Sequence, residues 1–225
     1  MTTGTRKSGA QRREEIAKAV LRIIGERGLT SLTTTTLARE IRVTPGALFR
    51  HFASRDEILQ EAVQYALAKV EATFPDESLP PVERLLDLAR NRARVLGSDP
   101  GIAWLLRSEQ AYLTLPEDAV EQLRGFVKRS KRFLLDAIRD GASHGSIRCD
   151  IEPEVLLVLV MGTIHALIGM PGIHRHATRG RRRSPGHVLS ALERLLAPSD
   201  GATDGERVTA KRSRKRHHEH KRSHP

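Results

Sequence analysis

Residues 32–52, LTTTTLAREIRVTPGALFRHF, constrain this chain more than any other stretch, because they hold two helix starts separated by a single turn. Thr33 can cap the first helix, its hydroxyl accepting an orphan backbone N–H, and Leu37, Ala38 and Ile41 then share one helical face. After a turn at Arg42 and Val43, Thr44 and Pro45 repeat the start signal: a hydroxyl cap, then a residue with its φ already fixed and no N–H to leave unpaired. The second helix turns Leu48 and Phe52 inward at i and i+4, which leaves Pro45, Ala47, Arg50 and His51 facing outward. Small and cationic groups suit a major groove, where alanine touches a thymine methyl and arginine reaches guanine O6 and N7. The pattern predicts a helix-turn-helix.

A helix carrying Arg13, Ile16 and Ala19 and closing at Gly28 precedes this stretch, and Ser54-Arg55-Asp56-Glu57-Ile58-Leu59 follows it. Over residues 12–59 the segment resembles the N-terminal DNA-binding domain of TetR-type regulators: spacing, cap residues, the Gly-Ala-Leu-aromatic-Arg-His-Phe run and the next helix start agree in order. The residue pattern and the resemblance together mark Thr33, Thr34, Arg42, Thr44, Pro45, Gly46, Ala47, Phe49, Arg50, His51 and Arg55 as DNA-binding. Two positions depart from the family. Arg42 stands where the turn usually has glycine, so a side chain must hold a left-handed conformation at a cost of about 1 kcal/mol. Phe49 stands where tyrosine is usual, which removes one expected phosphate hydrogen bond but not the packing.

The composition fits an all-α chain. Its 225 residues suffice for one domain or two, and they are rich in helix formers with little aromatic or β-branched clustering. The resemblance implies an N-terminal three-helix domain followed by a C-terminal helical domain for ligand binding and dimerisation. A formal charge of +11 points to a polyanionic partner, without distinguishing DNA from an anionic membrane. The lone Cys149 excludes an internal disulfide framework and is compatible with a reducing compartment. Residues 2–11 are polar and basic, unlike a signal peptide, so a cytoplasmic location is expected.

In chain order the expected division is a flexible arm at 1–10, the helix-turn-helix domain at 11–56, the effector-binding and dimerisation domain at 57–198, and a disordered basic tail at 199–225. Arg12 and Arg13 lie where they could reach phosphate or stay solvated. Asp56 and Glu57 open a helix whose stripe Ile58, Ala62, Val63, Ala66 and Val70 runs from the reading head into the rest of the chain, a natural lever. The proline-rich stretch 75–81 is expected to be a linker. Further helices follow, broken at 97–100 and 115–116, then a long amphipathic one from 117 to about 142 with Lys128, Arg129, Lys131 and Arg132 on its outer face.

Residues 155–170 form the most apolar run, too short and interrupted for a membrane span. A helix apolar all round must be covered all round, and a second subunit is the economical cover. With the last helix, 185–197, it supplies the expected dimer interface of Leu156, Val160, Leu167, Val188, Leu192 and Leu196; in the family resembled, the final two helices pair with their copies. Trp104, Tyr112, Phe126, Met161 and His165 are expected to converge on one ligand pocket, for a largely apolar effector with one or two hydrogen-bonding groups. The arginine-rich loop 171–186 contains no acid, and the tail carries eight cations against four acids.

No Gly-rich phosphate loop, Gly-x-Ser-x-Gly turn or His-Glu-x-x-His helix is present, and the tail histidines lack cysteine partners or defined spacing. No enzyme activity, cofactor or metal is expected. The residues point to a DNA-binding protein, and the resemblance implies a homodimeric transcriptional regulator, a repressor released from a palindromic operator by a small-molecule effector. The alternative is an effector-independent DNA-binding organiser.

Overall fold

The computed structural model describes residues 8–169 and 185–199, and every regular element among them is helical. In chain order these are α1 (Gly9–Arg27), α2 (Thr34–Glu40), α3 (Pro45–Leu48), α4 (Arg55–Glu71), α5 (Pro81–Ser98), α6 (Pro100–Arg107), α7 (Glu109–Thr114), α8 (Glu117–Ser143), α9 (Pro153–Ile168) and α10 (Pro185–Leu196), with a 3-10 turn at Leu29–Ser31. The expected arm, most of the arginine-rich loop and nearly all of the basic tail lie outside the described residues. The arm's last residues do not: Ser8 accepts from the Gln11 amide while the Gln11 side chain accepts from the Ser8 amide, a reciprocal cap that starts α1 at Gly9.

Three buried clusters organise the chain. The first joins α1, α2, α3 and the start of α4 around Ile16, Val20, Ile23, Leu37, Leu48, Phe52 and Leu59. Because Ile58, Leu59 and Ala62 belong to it, the expected boundary at 56/57 falls inside α4, whose first two turns complete the head's core. The second cluster lies between α4, α6, α7 and α8, around Val63, Val70, Ile102, Leu105 and Leu123. The third fills the space between α5, α8, α9 and α10, around Leu85, Leu88, Leu134, Ile138, Val160 and Leu192. α4 thus runs through two cores as one continuous helix.

α1 packs on α6 as extensively as on α4, and glycine is the reason the two backbones can meet. A Cβ on Gly101 would lie 2.1 Å from the Leu21 carbonyl oxygen, and one on Gly25 would lie 2.6 Å from the Gly101 amide nitrogen. The stretch 75–81 is a tight turn rather than a linker. The Ser78 amide donates to Asp76 Oδ1 at 2.8 Å, and Phe74 at its start packs edge-on against Phe126 and Phe133. Proline and polar residues mark both a linker and a turn; the neighbouring apolar Phe74 is what ties this one down.

α9 is apolar on both faces, yet the two faces differ in what covers them. Leu156, Val160 and Ile164 are buried within the protomer, while Val155, Val158 and Leu159 are exposed, Val158 to 68 %. Gly162 and Ala166 extend the exposed stripe. No helix among the described residues is long and apolar enough to cross a membrane.

Candidate nucleic-acid interface

α2 begins as expected. The Thr33 hydroxyl accepts from the Thr36 amide at 3.0 Å, so that hydroxyl is engaged in capping, with Thr34 half-buried behind it. The turn then places Arg42 at φ 57°, the left-handed backbone that its substitution for glycine demands. Among the described residues Arg42 is the one non-glycine with positive φ. Val43 donates to the Ala38 carbonyl at 2.9 Å and closes the turn.

α3 is shorter than the sequence suggested: four residues, Pro45–Leu48, followed by turns through His51. Thr44 has the extended backbone of a cap, but its side chain makes no capping hydrogen bond; its carbonyl takes the Ala47 amide at 2.9 Å instead. That leaves the Thr44 hydroxyl available at the surface. Leu48 and Phe52 are buried as the i, i+4 spacing requires. Thr44, Pro45, Gly46, Phe49 and Arg50 are exposed, and Ala47 and His51 are half-buried beside them. Arg55, the first residue of α4, is exposed next to this patch.

The pairing of charges separates this face from the rest of the head. Every cation of α1 is held by an acid: Arg12 by Glu15, Arg13 by Glu57 and Glu61, Lys18 by Glu14, and Arg22 and Arg27 by Glu40. Arg39, Arg42, Arg50 and Arg55, all exposed, have no ion-pair partner among the described residues. Four unpaired guanidinium groups on α2, the turn, α3 and the start of α4 raise the local potential toward a polyanion, whereas the paired cations of α1 contribute little.

Arg13 is neither in reach of phosphate nor simply solvated, the two readings its place in the sequence left open. Its Nε donates to Glu61 at 2.7 Å, and Nη1 donates to Glu57 and to the His51 carbonyl, each at 2.9 Å. The same guanidinium lies 4.3 Å over the Phe52 ring. Arg13 therefore fastens α1 to the end of the reading segment and to α4. Glu57 also accepts from the Ala53 amide; that hydrogen bond first, then Arg13, holds its carboxyl below the usual glutamate range.

Residues 16–62 match the family profile "Bacterial regulatory proteins, tetR family". That segment is a tetR-family domain. Over 167 residues it is 22 % identical to the HTH-type transcriptional repressor KstR2 of Mycolicibacterium smegmatis, covering 72 % of this chain and 80 % of that one. It is also 25 % identical over 165 residues to the nucleoid occlusion factor SlmA of Vibrio atlanticus, covering 72 % and 83 %. In fold it matches AibR, solved in complex with isovaleryl coenzyme A and operator DNA, at a TM-score of 0.67 and 18 % identity, covering 82 % of this chain and 97 % of AibR. The chain thus shares its fold with AibR.

The other two expected sites look different in three dimensions. Leu156, Val160, Leu192 and Leu196 are not available to a partner, because the protomer's own core takes them up; Leu167 is half-buried against that core and Val188 half-buried on α10. A helix apolar on both faces gave no sign of which face pointed inward. Of the five expected pocket residues, Trp104, Tyr112 and Phe126 share the middle cluster, while Met161 packs in the third. Trp104 also lines an opening of about 290 Å³ beside Gly25 and Arg107 where α6 meets α1, Phe126 is buried against Phe74, and His165 is exposed on α9. Sequence reading missed Arg92, a buried arginine in the middle of α5, because a lone cation in an amphipathic helix reads as solvated.

Proposed function

We propose that this chain is a homodimeric transcriptional regulator of the repressor type, which reads a near-palindromic operator and releases it when a small effector occupies the C-terminal helices. One observation carries the DNA half: the four unpaired arginines lie around α2, the turn and α3, while every cation of α1 is neutralised. Thr44, Pro45, Gly46, Ala47, Arg50 and His51 form the base-reading surface; Thr33, Thr34, Arg42, Phe49 and Arg55 flank it toward phosphate. The name of KstR2, a repressor, and the AibR complex with operator DNA and an acyl coenzyme A support the same reading. Its place of work is the cytoplasm, where the DNA is.

Dimerisation through α9 and α10 is supported by the exposed stripe Val155, Val158, Leu159, Gly162 and Ala166 together with Leu195 on α10, which is 60 % exposed. Apolar groups at that spacing match a second copy of themselves across a two-fold axis. α4 connects head and body as the lever, since it shares in the cores of both.

The likeness to SlmA supports a second reading, an organiser that binds DNA without an effector. Titrating the full chain against a selected duplex and a scrambled one at several salt concentrations tests both. A repressor should prefer its operator by at least about a thousandfold at physiological salt. Comparable affinity for both duplexes would favour the organiser.

A further inference from the structure

Arg92 is only 8 % exposed, and among the described residues no carboxylate reaches it. Its guanidinium lies between two rings, 5.0 Å from the centre of Phe74 and 5.0 Å from that of Phe126. Nη2 donates to the Ser130 hydroxyl at 2.8 Å and Nε to the Thr73 hydroxyl at 3.4 Å. Burial lowers its pKa to about 10, opposed only by the charge of Glu71, so the group stays cationic at neutral pH. Glu71 itself is paired with Arg129 at the surface. A buried charge without a counter-ion destabilises the fold that holds it.

Phe74 also lines a recess of about 370 Å³ between the end of α4, the start of α5 and the middle of α8, together with Phe133, Arg84 and Arg132. Arg84 Nε is buried there with no acceptor, although the same guanidinium donates to Asp140 through Nη2. The acids and bases around the recess balance: Glu71, Glu77 and Asp136 against Arg84, Arg129 and Arg132. What is left over is the unused donor of Arg84 and, behind the Phe74 ring, the uncompensated charge of Arg92.

We propose that this recess receives a small organic anion, a carboxylate or a phosphate on an apolar body, with Arg92 as its counter-charge and the Phe74 and Phe133 rings against its body. The inference deepens the effector-controlled reading and rests on it. It also links the site to the lever. Thr73, which follows α4 directly, is held by Arg92 through its hydroxyl and by Asn91 Nδ2 through its carbonyl at 3.3 Å. An anion that draws Arg92 toward the recess removes one of these two holds on the end of α4, giving the ligand different contacts in the two positions of the lever, as any coupling requires.

The test is thermal unfolding of the full chain, without DNA, at constant ionic strength. The probes are the straight-chain carboxylates from acetate to decanoate, octyl phosphate, and octanol as the neutral control. Longer anions are expected to raise Tm by about 2 °C or more and octanol not at all. A response to carboxylates alone or to octyl phosphate alone supports the site and identifies the headgroup. Arg92→Met should lose the shift while unfolding, without probe, at the same temperature or higher, because an uncompensated buried charge has been replaced by an apolar group of similar length. Phe133→Trp, which narrows the recess without touching Arg92, should lose it too. No shift with any anion, an equal shift with octanol, a retained shift in Arg92→Met, or an Arg92→Met chain that fails to fold would each overturn the proposal. Because DNA is absent, failure to find an operator leaves this result standing, and the reverse holds as well.

Discussion

At the residue scale two places in the reading head bear on its stability with opposite sign. Arg42 holds a left-handed backbone at φ 57° that glycine would adopt without strain, and its cation is exposed and unpaired. Arg42→Gly is therefore expected to stabilise the chain by about 0.5–1 kcal/mol in urea denaturation while weakening binding to all DNA sequences alike. A destabilised variant would show that the Arg42 side chain makes up for its backbone. The second place is Glu57. Its pKa is held down by the Ala53 amide and then by Arg13, so the folded state binds that proton less readily than the unfolded chain does. The stability it contributes is complete above the ordinary glutamate range and is lost as pH falls through the lowered value. Glu57→Gln should lower the urea midpoint at pH 7 and reduce its further decline between pH 5 and pH 3; an unchanged acid profile would remove Glu57 from the account.

Both features differ in how legible they were. A side chain forced into a glycine position is visible in one residue of sequence, and Arg42 was predicted from it. The Arg13 network was not, because it joins positions separated by 38 to 48 residues, and nothing local marks an arginine that folds back over a phenylalanine. Arg92 escaped for the same reason: its partners Thr73 and Ser130 lie on other segments.

At the scale of elements, periodicity located the helices well and their partners poorly. Leu37, Ala38, Ile41, Leu48 and Phe52 all became core, since amphipathic spacing leaves one buried face. α9 has two apolar faces, and the pattern could not choose between Leu156 and Val155 as the outward one. The α1–α6 crossing is likewise silent in sequence, because Gly25 and Gly101 look like ordinary glycines until two backbones are brought together. Gly101→Ala drives a Cβ to 2.1 Å from the Leu21 carbonyl oxygen, so α6 must withdraw from α1. Destabilisation of about 1–3 kcal/mol is expected, with altered fluorescence of the sole tryptophan, Trp104, on α6. A variant as stable as the parent would mean that the crossing gives way freely and transmits nothing.

At the scale of the whole molecule, the two readings of the interface make opposite predictions. Val158→Glu with Leu159→Glu places charges on the exposed stripe of α9 and should yield a folded monomer in sedimentation, with operator affinity lost because two half-sites can no longer be held together. Leu192→Glu with Leu196→Glu instead places them in the protomer core and should unfold the C-terminal helices. A folded monomer from the second pair and an unchanged dimer from the first would reverse the assignment of faces.

The central claim is that α3 and its neighbours read DNA sequence, and selection from a random-sequence DNA pool tests it most directly. The parent chain and a variant carrying Ala47→Ser, Arg50→Ala and His51→Ala are each taken through the same rounds. The parent should enrich one inverted repeat, with half-sites about one helical turn apart or a multiple of that. The variant should lose preference within each half-site, at about 1–3 kcal/mol for each lost base contact, while keeping its salt-dependent affinity for duplex DNA. Enrichment of the same inverted repeat by both chains would contradict the account.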